Sequence, residues 1–248
     1  MTTDSFKKEL CFKVILEDGS CFHIAAICKG AGMINPAMAT MLCFILTDAN
    51  IPKADMDELL LPAIEHSFNA VSVDGDTSTN DTVLLLSSKQ SGVYHKEAFN
   101  EALRLITKEL SLMLVRDGEG STKVVAFEVS GAKSVAEAEK AAKALSNSLL
   151  VKTALFGEDP NWGRIASTIG ASGINCSEET LVIHYDDVLI YSKEQRSLDA
   201  EAEKKAAAVM KKDSFRIHCE LGIGEASFTA YGCDLGHKYV EINADYRT

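Results

Sequence analysis

The chain has 248 residues, 46% of them hydrophobic, and a formal net charge of −11 at pH 7. That length and apolar fraction suffice for one large domain or two modest ones. The acidic balance argues against nucleic acid or an anionic membrane as the partner, because both are bound by basic surfaces. Chemistry on a small molecule fits this composition better.

Cysteine usage and hydropathy indicate an intracellular protein. The seven cysteines form no Cys-x-x-Cys pair and mostly lie among apolar neighbours, which predicts reduced core residues rather than disulfides or a zinc site. The six histidines show no metal-ligand spacing, so no metal is expected. No apolar run approaches the roughly 20 residues that span a bilayer, and the first ten residues are too polar for a signal peptide. We therefore expect a cytoplasmic enzyme without a membrane anchor.

The first half of the chain predicts a hairpin, two long helices and further strands. Asp18-Gly19 separates two apolar runs, which is a strong hairpin signal. The predicted strands are Cys11–Leu16, Cys21–Ile27 and the short buried strand Thr82–Ser87. Helical spacing of apolar residues covers Lys53–Val71 and Lys96–Val115. Periodicity alone does not assign the run Met41–Thr47 to a helix or a strand.

The second half alternates strands and helices again. Strands are predicted at Lys123–Val129, Leu181–Tyr191, Phe215–Leu221 and Ala226–Cys233. Helices are predicted at Val135–Leu150, Asn161–Ile169 and Leu198–Met210. Mixed elements with hairpins at both ends indicate an α/β or α+β fold. Two lobes that meet near Gly120 are expected, residues 1–120 and 121–248.

The segment from Lys29 to Thr40 carries the sharpest chemical hypothesis. It places a lysine and a glycine-rich turn ahead of the small-residue peptide bond Ala39–Thr40. A threonine hydroxyl is a poor nucleophile unless a base lies beside it, and an N-terminal threonine carries that base in its own α-amine. The segment thus predicts cleavage before Thr40 and acyl transfer by Thr40. Taken alone, it fits better a glycine turn that leads into a buried element.

Three further polar features are each explained by ordinary local structure when taken alone. The segment Asp74–Asp81 places three acids between a helix and a strand, where such residues favour turns. It resembles a calcium loop, but Thr79 stands where that loop needs glycine. Gly157–Arg164 contains the only tryptophan and fits a helix entry with Trp162 as a packing anchor. Glu119 lies between two glycines, where a carboxylate can approach a substrate amine closely.

Together, five segments in this order resemble the ornithine acetyltransferases, the bifunctional glutamate N-acetyltransferases of arginine biosynthesis (ArgJ family). The segments are Lys29–Leu42, Ser72–Val83, Asp117–Lys123, Gly157–Ile165 and Ile242–Thr248. The resemblance runs along the whole chain and ends at the same terminal threonine. It implies an αββα arrangement similar to N-terminal-nucleophile hydrolases, followed by a smaller C-terminal α/β lobe. It also favours Met41–Leu46 as a buried strand opened by Thr40.

The resemblance implies a complete reaction. The Thr40 hydroxyl would attack the Ala39 carbonyl, and an N-to-O acyl shift followed by hydrolysis would free the new N-terminus. Thr40 would then take the acetyl group from N2-acetylornithine and pass it to the α-amine of glutamate by ping-pong chemistry. No cofactor is implied, although some members accept acetyl-CoA as a co-substrate. Self-cleavage would give α and β subunits that assemble as α2β2.

Four further residues match substrate-binding positions of the family. Lys29 matches a substrate-binding lysine, and a fixed cation suits a substrate carboxylate. Glu119 matches a substrate-contacting glutamate. Asn243 and Thr248 match C-terminal residues that return to the site.

The chain also departs from the family. Family precursors continue upstream of the position matched by Met1, and their oxyanion hole is a Thr-Gly pair in that upstream α segment. Three alternatives therefore stay open: a complete acetyltransferase, an incomplete subunit that needs the missing segment, and an amidase or aminopeptidase with the same nucleophile. A eukaryotic source would place the enzyme in the mitochondrial matrix.

Overall fold

The computed structural model describes residues 3–35, 41–78 and 80–245. The chain divides into two compact units, Met1–Asp117 and Gly118–Thr248. Each unit combines one β-sheet with helices, so the predicted mixed α/β class is confirmed. In the described part of the chain, no helix is long and apolar enough to cross a membrane.

The first unit is built on a four-stranded sheet with the order β1-β2-β3-β5. Its strands are β1 (Lys8–Ile15), β2 (Cys21–Lys29), β3 (Leu42–Thr47) and β5 (Thr82–Ser87). The pairs β1/β2 and β2/β3 are antiparallel, whereas β3 and β5 are parallel. The predicted hairpin is confirmed: Gly19 adopts φ 82°, which favours glycine, and the Leu16 N–H donates to the Ser20 carbonyl at 2.9 Å.

Two helices cover one face of this sheet. Helix α2 (Lys96–Arg116) packs against β1 and β2, and α1 (Lys53–Glu65) packs against α2. The predicted helix Lys53–Val71 is too long, because the chain continues from α1 into a 3₁₀ turn at Phe68–Ala70 and the two-residue strand β4 (Val71–Ser72). The Ser67 hydroxyl donates to the Ala63 carbonyl at 2.6 Å, a local bond typical of helix ends.

The opposite face of the sheet is apolar and exposed. The predicted strands at Met41–Leu46 and Thr82–Ser87 are confirmed as β3 and β5, but their predicted burial is wrong, since the side chains that point away from the helices are exposed. Large apolar side chains that are 36–49% exposed lie on the other face: Ile27, Leu42, Phe44, Leu46, Leu84 and Leu86. A contiguous apolar patch of this kind marks a surface that packs against another element.

The second unit contains a mixed sheet in which five strands follow the order β10-β6-β9-β7-β8. They are β6 (Val124–Ala132), β7 (Val182–Tyr185), β8 (Val188–Tyr191), β9 (Ser214–Glu220) and β10 (Ala226–Cys233). Strands β6 and β9 are parallel, and the remaining pairs are antiparallel. The predicted strand Leu181–Tyr191 is a hairpin that turns at Asp186, whose φ is 49°.

Among its described residues, the second unit contains five helices. They are α3 (Val135–Asn147), α4 (Leu149–Phe156), α5 (Trp162–Ala171), α6 (Ala200–Met210) and α7 (His237–Asp245). The predicted helix Val135–Leu150 ends at Ser148, which caps the start of α4 by accepting the Val151 N–H at 3.4 Å. Helix α7 was not predicted, and its lack of any buried residue explains why no apolar stripe revealed it.

Candidate active site

The predicted lysine and the strand that follows the predicted nucleophile meet at one end of the first sheet. Leu42, the first residue of β3, pairs with Lys29 on β2 and with Thr82 on β5. Ala39 and Thr40 lie outside the described residues. Met41 is described, and its nitrogen is bonded covalently to the carbonyl carbon of Thr40.

Asp81 holds the peptide nitrogen that follows Thr40. Its Oδ1 accepts the Met41 N–H at 2.7 Å. Its Oδ2 is buried and meets no hydrogen-bond partner among the described residues. Burial raises the pKa of Asp81 above its ordinary value, although the Met41 bond and the charge of Lys29 act in the opposite direction. A partly unsatisfied carboxylate is therefore hydrogen-bonded to Met41, the residue that follows the proposed nucleophile in the sequence.

Asp74 holds the chain on the other side of the cleavage segment. Its two oxygens accept the Met33 N–H at 2.6 Å and the Ile34 N–H at 3.0 Å. Burial raises the pKa of Asp74, opposed by its backbone hydrogen bonds from Asp76, Met33 and Ile34. The Val73 N–H also donates to the Ile34 carbonyl at 2.7 Å. The loop from Val73 to Asp81 thus fixes the backbone on both sides of residues 36–40.

No role for Asp74 or Asp81 was predicted. The sequence contained a signal, since the acids between a helix and a strand belong to a segment that resembles the family. Their hydrogen bonds to Met33, Ile34 and Met41 span about 40 positions of the chain, and sequence spacing does not reveal such partners.

In the second unit, the structure brings Glu119 and Asn243 together. The Asn243 Nδ2 donates to Glu119 Oε2 at 2.8 Å and to the Tyr239 carbonyl at 3.0 Å. Gly120 adopts φ 75°, and a Cβ at that position would lie 2.7 Å from the Tyr239 nitrogen. Only glycine lets the Glu119 loop approach α7 this closely. The two predicted substrate contacts form one polar pair, whereas Thr248 lies outside the described residues.

Asp234 fixes the loop that carries Glu119. Its carboxylate is 2% exposed and accepts three hydrogen bonds, from the Thr122 N–H at 2.8 Å, the Thr122 hydroxyl at 2.6 Å and the Lys123 N–H at 2.9 Å. The Lys123 Nζ in turn pairs with Glu158 at 3.1 Å. This network holds the start of β6 and the loop before it in one conformation.

The tryptophan segment is structural. Trp162 stacks on Tyr191 with ring centroids 4.4 Å apart. Arg164 donates to the Leu150 carbonyl at 2.7 Å and to the Thr153 hydroxyl at 3.1 Å. These contacts join α4, α5 and β8, so the interpretation of Trp162 as a packing anchor is confirmed.

Cys43, the cysteine on β3, is poorly suited to act as the nucleophile in place of Thr40. Burial raises the pKa of Cys43 on β3 to about 12, which keeps its thiol protonated at neutral pH. Within residues 3–35, 41–78 and 80–245, no three His, Cys, Asp or Glu side chains are arranged to hold a metal ion.

Comparison with known proteins identifies the family. The model of the ArgJ family matches residues 1–248. The chain belongs to the ArgJ family. The chain is 63% identical over its whole length to the arginine biosynthesis bifunctional protein ArgJ of Wolinella succinogenes, of which it covers 63%. It is 45% identical to the glutamate N-acetyltransferase of Methanocaldococcus jannaschii, of which it covers 64%.

The fold agrees with a solved member of the family. The crystal structure of ArgJ from Bacillus halodurans matches with a TM-score of 0.77 and 38% identity, covering 82% of this chain and 98% of that chain. The predicted family and its N-terminal-nucleophile-like fold class are therefore confirmed. The chain nevertheless spans somewhat less than two thirds of the length of the curated ArgJ relatives that it matches.

Proposed function

We propose that this ArgJ family chain transfers acetyl from N2-acetylornithine to glutamate in cytoplasmic arginine biosynthesis, through an acetyl ester on Thr40. The observation that carries the proposal is the arrangement at the start of β3, where Lys29 and Asp81 flank the peptide that follows Thr40. The name of one relative, glutamate N-acetyltransferase, supports glutamate as the acetyl acceptor, and the family resemblance suggests N2-acetylornithine as the donor.

In the proposed maturation, the Thr40 hydroxyl attacks the Ala39 carbonyl carbon, and the peptide nitrogen of Thr40 leaves as an amine. Water then hydrolyses the resulting ester, which frees the Ala39 carboxylate and restores the hydroxyl. The new α-amine of Thr40 can accept the hydroxyl proton in the next attack, on the acetyl carbonyl of N2-acetylornithine. Ornithine leaves with that proton on its amine, and the glutamate α-amine later attacks the acetyl ester and restores Thr40.

The remaining predicted residues bind substrate in this proposal. Lys29 binds a substrate carboxylate, for which a fixed cation is suited. Glu119 accepts a hydrogen bond from the substrate amine, oriented by the amide of Asn243 at 2.8 Å. Thr248 is assigned to the same site by the resemblance. Acetyl-CoA is an alternative acetyl donor to test beside N2-acetylornithine.

Intact-mass spectrometry tests this proposal. The purified chain should appear as two fragments divided between Ala39 and Thr40. Incubation with N2-acetylornithine should add one acetyl group to the fragment that begins at Thr40, and glutamate should remove it. Loss of the acetyl group to water at a rate independent of glutamate would indicate an amidase instead. A single uncut mass without an adduct would contradict the proposal for this chain.

Glu119 and Asn243 give a direct prediction. Glu119→Gln should raise the KM for both substrates by about tenfold, because the substrate ammonium loses a charge-assisted hydrogen bond. Asn243→Ala should act in the same direction through the loss of its bond to Glu119. Steady-state kinetics with each substrate varied in turn measures the effect. Glu241→Gln, an exposed carboxylate on the same helix that pairs with Lys238, is the matched control and should leave both KM values unchanged.

The exposed apolar face of the first sheet is evidence for a partner polypeptide that covers it. We propose that the upstream portion of the family precursor covers this face, completes the predicted αββα sandwich and supplies the oxyanion hole. The processed subunits then assemble as α2β2. Supplying the unmatched portion of the Wolinella succinogenes protein as a separate chain should yield a complex on light scattering. It should also speed acetyl-enzyme formation by about 100-fold, the usual worth of an oxyanion donor.

Surface variants make that expectation specific. Phe44 lies within the exposed apolar face, and its replacement by glutamate should abolish the complex. Leu61→Glu is the matched control, because Leu61 is a 64% exposed apolar residue on α1. Complex formation by the Phe44 variant at wild-type strength would contradict coverage of this face.

A further inference from the structure

A fully buried lysine that the proposed chemistry does not use lies on β1. The side chain of Lys8 has no exposed surface, and its two carboxylate partners, Asp4 and Asp117, are 7% and 2% exposed. The Lys8 Nζ donates to Asp4 Oδ1 at 2.7 Å and also to Asp117 Oδ2. Two carboxylates and one ammonium give this group a net charge of −1. Buried charges are tolerated only when they are paired in this way.

One arm of this group reaches the backbone beside Lys29. The Gly30 N–H donates to Asp4 Oδ1 at 2.9 Å. Burial acts to raise the pKa of Asp4, but its hydrogen bonds from Lys8 and Gly30 and the charges of Lys8 and Lys29 outweigh burial and lower it. Asp4 is therefore an ionised carboxylate that fixes the end of β2 at the residue after Lys29.

The other arm reaches the end of α2. Asp117 terminates that helix, and its carboxylate accepts the Ser5 N–H at 3.0 and 3.1 Å together with the Ser5 hydroxyl. Glu119 follows Asp117 by two residues along the chain. Lys8 thus joins the segment that carries Lys29 to the helix end from which the Glu119 loop starts.

We propose that Lys8, acting through Asp4 and Asp117, is a positioning residue for the substrate contact Lys29. The inference rests on the proposed function, because it assigns Lys8 a role in that same site. Lys8 is too deeply buried to touch a substrate, so its effect is transmitted through the two carboxylates. Lys29 binds a carboxylate that does not change during the reaction, so a misplaced Lys29 weakens substrate and transition state equally.

The test follows acetyl-enzyme formation by intact mass as a function of N2-acetylornithine concentration. Asp4→Ala leaves the Lys8–Asp117 pair neutral and removes the acceptor of the Gly30 N–H. The half-saturating concentration should rise about tenfold, whereas the maximal rate should change by less than about twofold. Asp4→Asn retains an oxygen that can accept the Gly30 N–H, so its half-saturating concentration should be close to that of wild type.

Lys8 itself is tested by a variant that keeps the buried charge constant. Lys8→Met combined with Asp117→Asn removes one positive and one negative charge, so the group retains its net charge of −1 and the asparagine can still accept from Ser5. This double variant should show the same rise in half-saturating concentration. The matched control is Asp48→Ala, since Asp48 accepts the His23 N–H at 2.6 Å near the other end of β2.

The outcomes separate the two proposals. A wild-type chain that forms no acetyl adduct would overturn the proposed function, and the role of Lys8 with it. A wild-type chain that forms the adduct, beside an Asp4→Ala variant with unchanged half-saturation, would overturn only the positioning role. An equal shift in the Asp48→Ala control would also overturn it, because the effect would then reflect general loosening of the sheet.

Discussion

Replacing Thr40 with alanine should abolish both cleavage before residue 40 and acetyl-enzyme formation. Removal of a catalytic nucleophile costs on the order of 10⁴-fold or more in rate, because the remaining groups act only with it. The Thr40→Ala chain should therefore keep its full mass on intact-mass spectrometry and gain no acetyl group from N2-acetylornithine. Thr40→Ser keeps a hydroxyl and should retain cleavage at a reduced rate.

Thr82→Ala is the control for this prediction. Thr82 lies on β5 in register with Leu42, so it offers another hydroxyl at the same end of the sheet. Its replacement should leave both the two fragments and the acetyl adduct intact. Two fragments from the Thr40→Ala chain would show that another group, or a contaminating protease, cuts the bond.

Local signals predicted much of the fold. The hairpin of β1 and β2 depends on one Asp-Gly turn, and α2 on an apolar stripe that is interrupted by no breaker. Sequence reasoning failed where a single side chain decided the outcome, as at Ser148, which ends one helix and caps the next. The strand β3 was predicted through the family resemblance, but its burial was overestimated, because an apolar run does not reveal whether one or both faces of a strand are covered.

The candidate site was predicted only in part. Thr40, Lys29, Glu119 and Asn243 were found because they stand in segments that resemble the family. Asp81, Asp74 and Asp4 were not, because each acts through a hydrogen bond to a backbone N–H 26 to 41 positions away. Backbone partners leave no residue type in the sequence to recognise, so only the folded chain reveals these carboxylates.

Asp81 gives the second large prediction. Asp81→Ala removes the acceptor of the buried Met41 N–H, and leaving such a donor unpaired costs about 1–3 kcal/mol. The melting temperature should fall by several degrees, since each kcal/mol is worth about 2–4 °C in a chain of this size. Cleavage before Thr40 should slow by about 100-fold, because the peptide next to the reacting bond is no longer held in place.

Asp81→Asn separates hydrogen bonding from charge. The amide oxygen can still accept from Met41, and cleavage should remain much faster than in the alanine variant. The asparagine also removes a carboxylate whose pKa burial has raised above 3.8. An acid with a raised pKa ionises more readily in the unfolded chain, so its ionised form disfavours folding at neutral pH. The asparagine variant should therefore be at least as stable as wild type at pH 7.

The pH dependence of the unfolding free energy tests directly whether the ionised Asp81 carboxylate destabilises the folded chain. As pH falls through the raised pKa of Asp81 towards 3.8, the wild-type carboxyl takes up a proton in the folded state first, and the penalty disappears. The stability advantage of Asp81→Asn should thus be constant at neutral pH and shrink on acidification. Thermal unfolding of both chains at pH 7 and at mildly acidic pH measures the difference in stability between them. The other carboxylates are the same in both chains, so their contributions to this difference cancel. An advantage that grows as pH falls would mean that Asp81 is stabilised as an anion, and its second oxygen would then have a cationic partner.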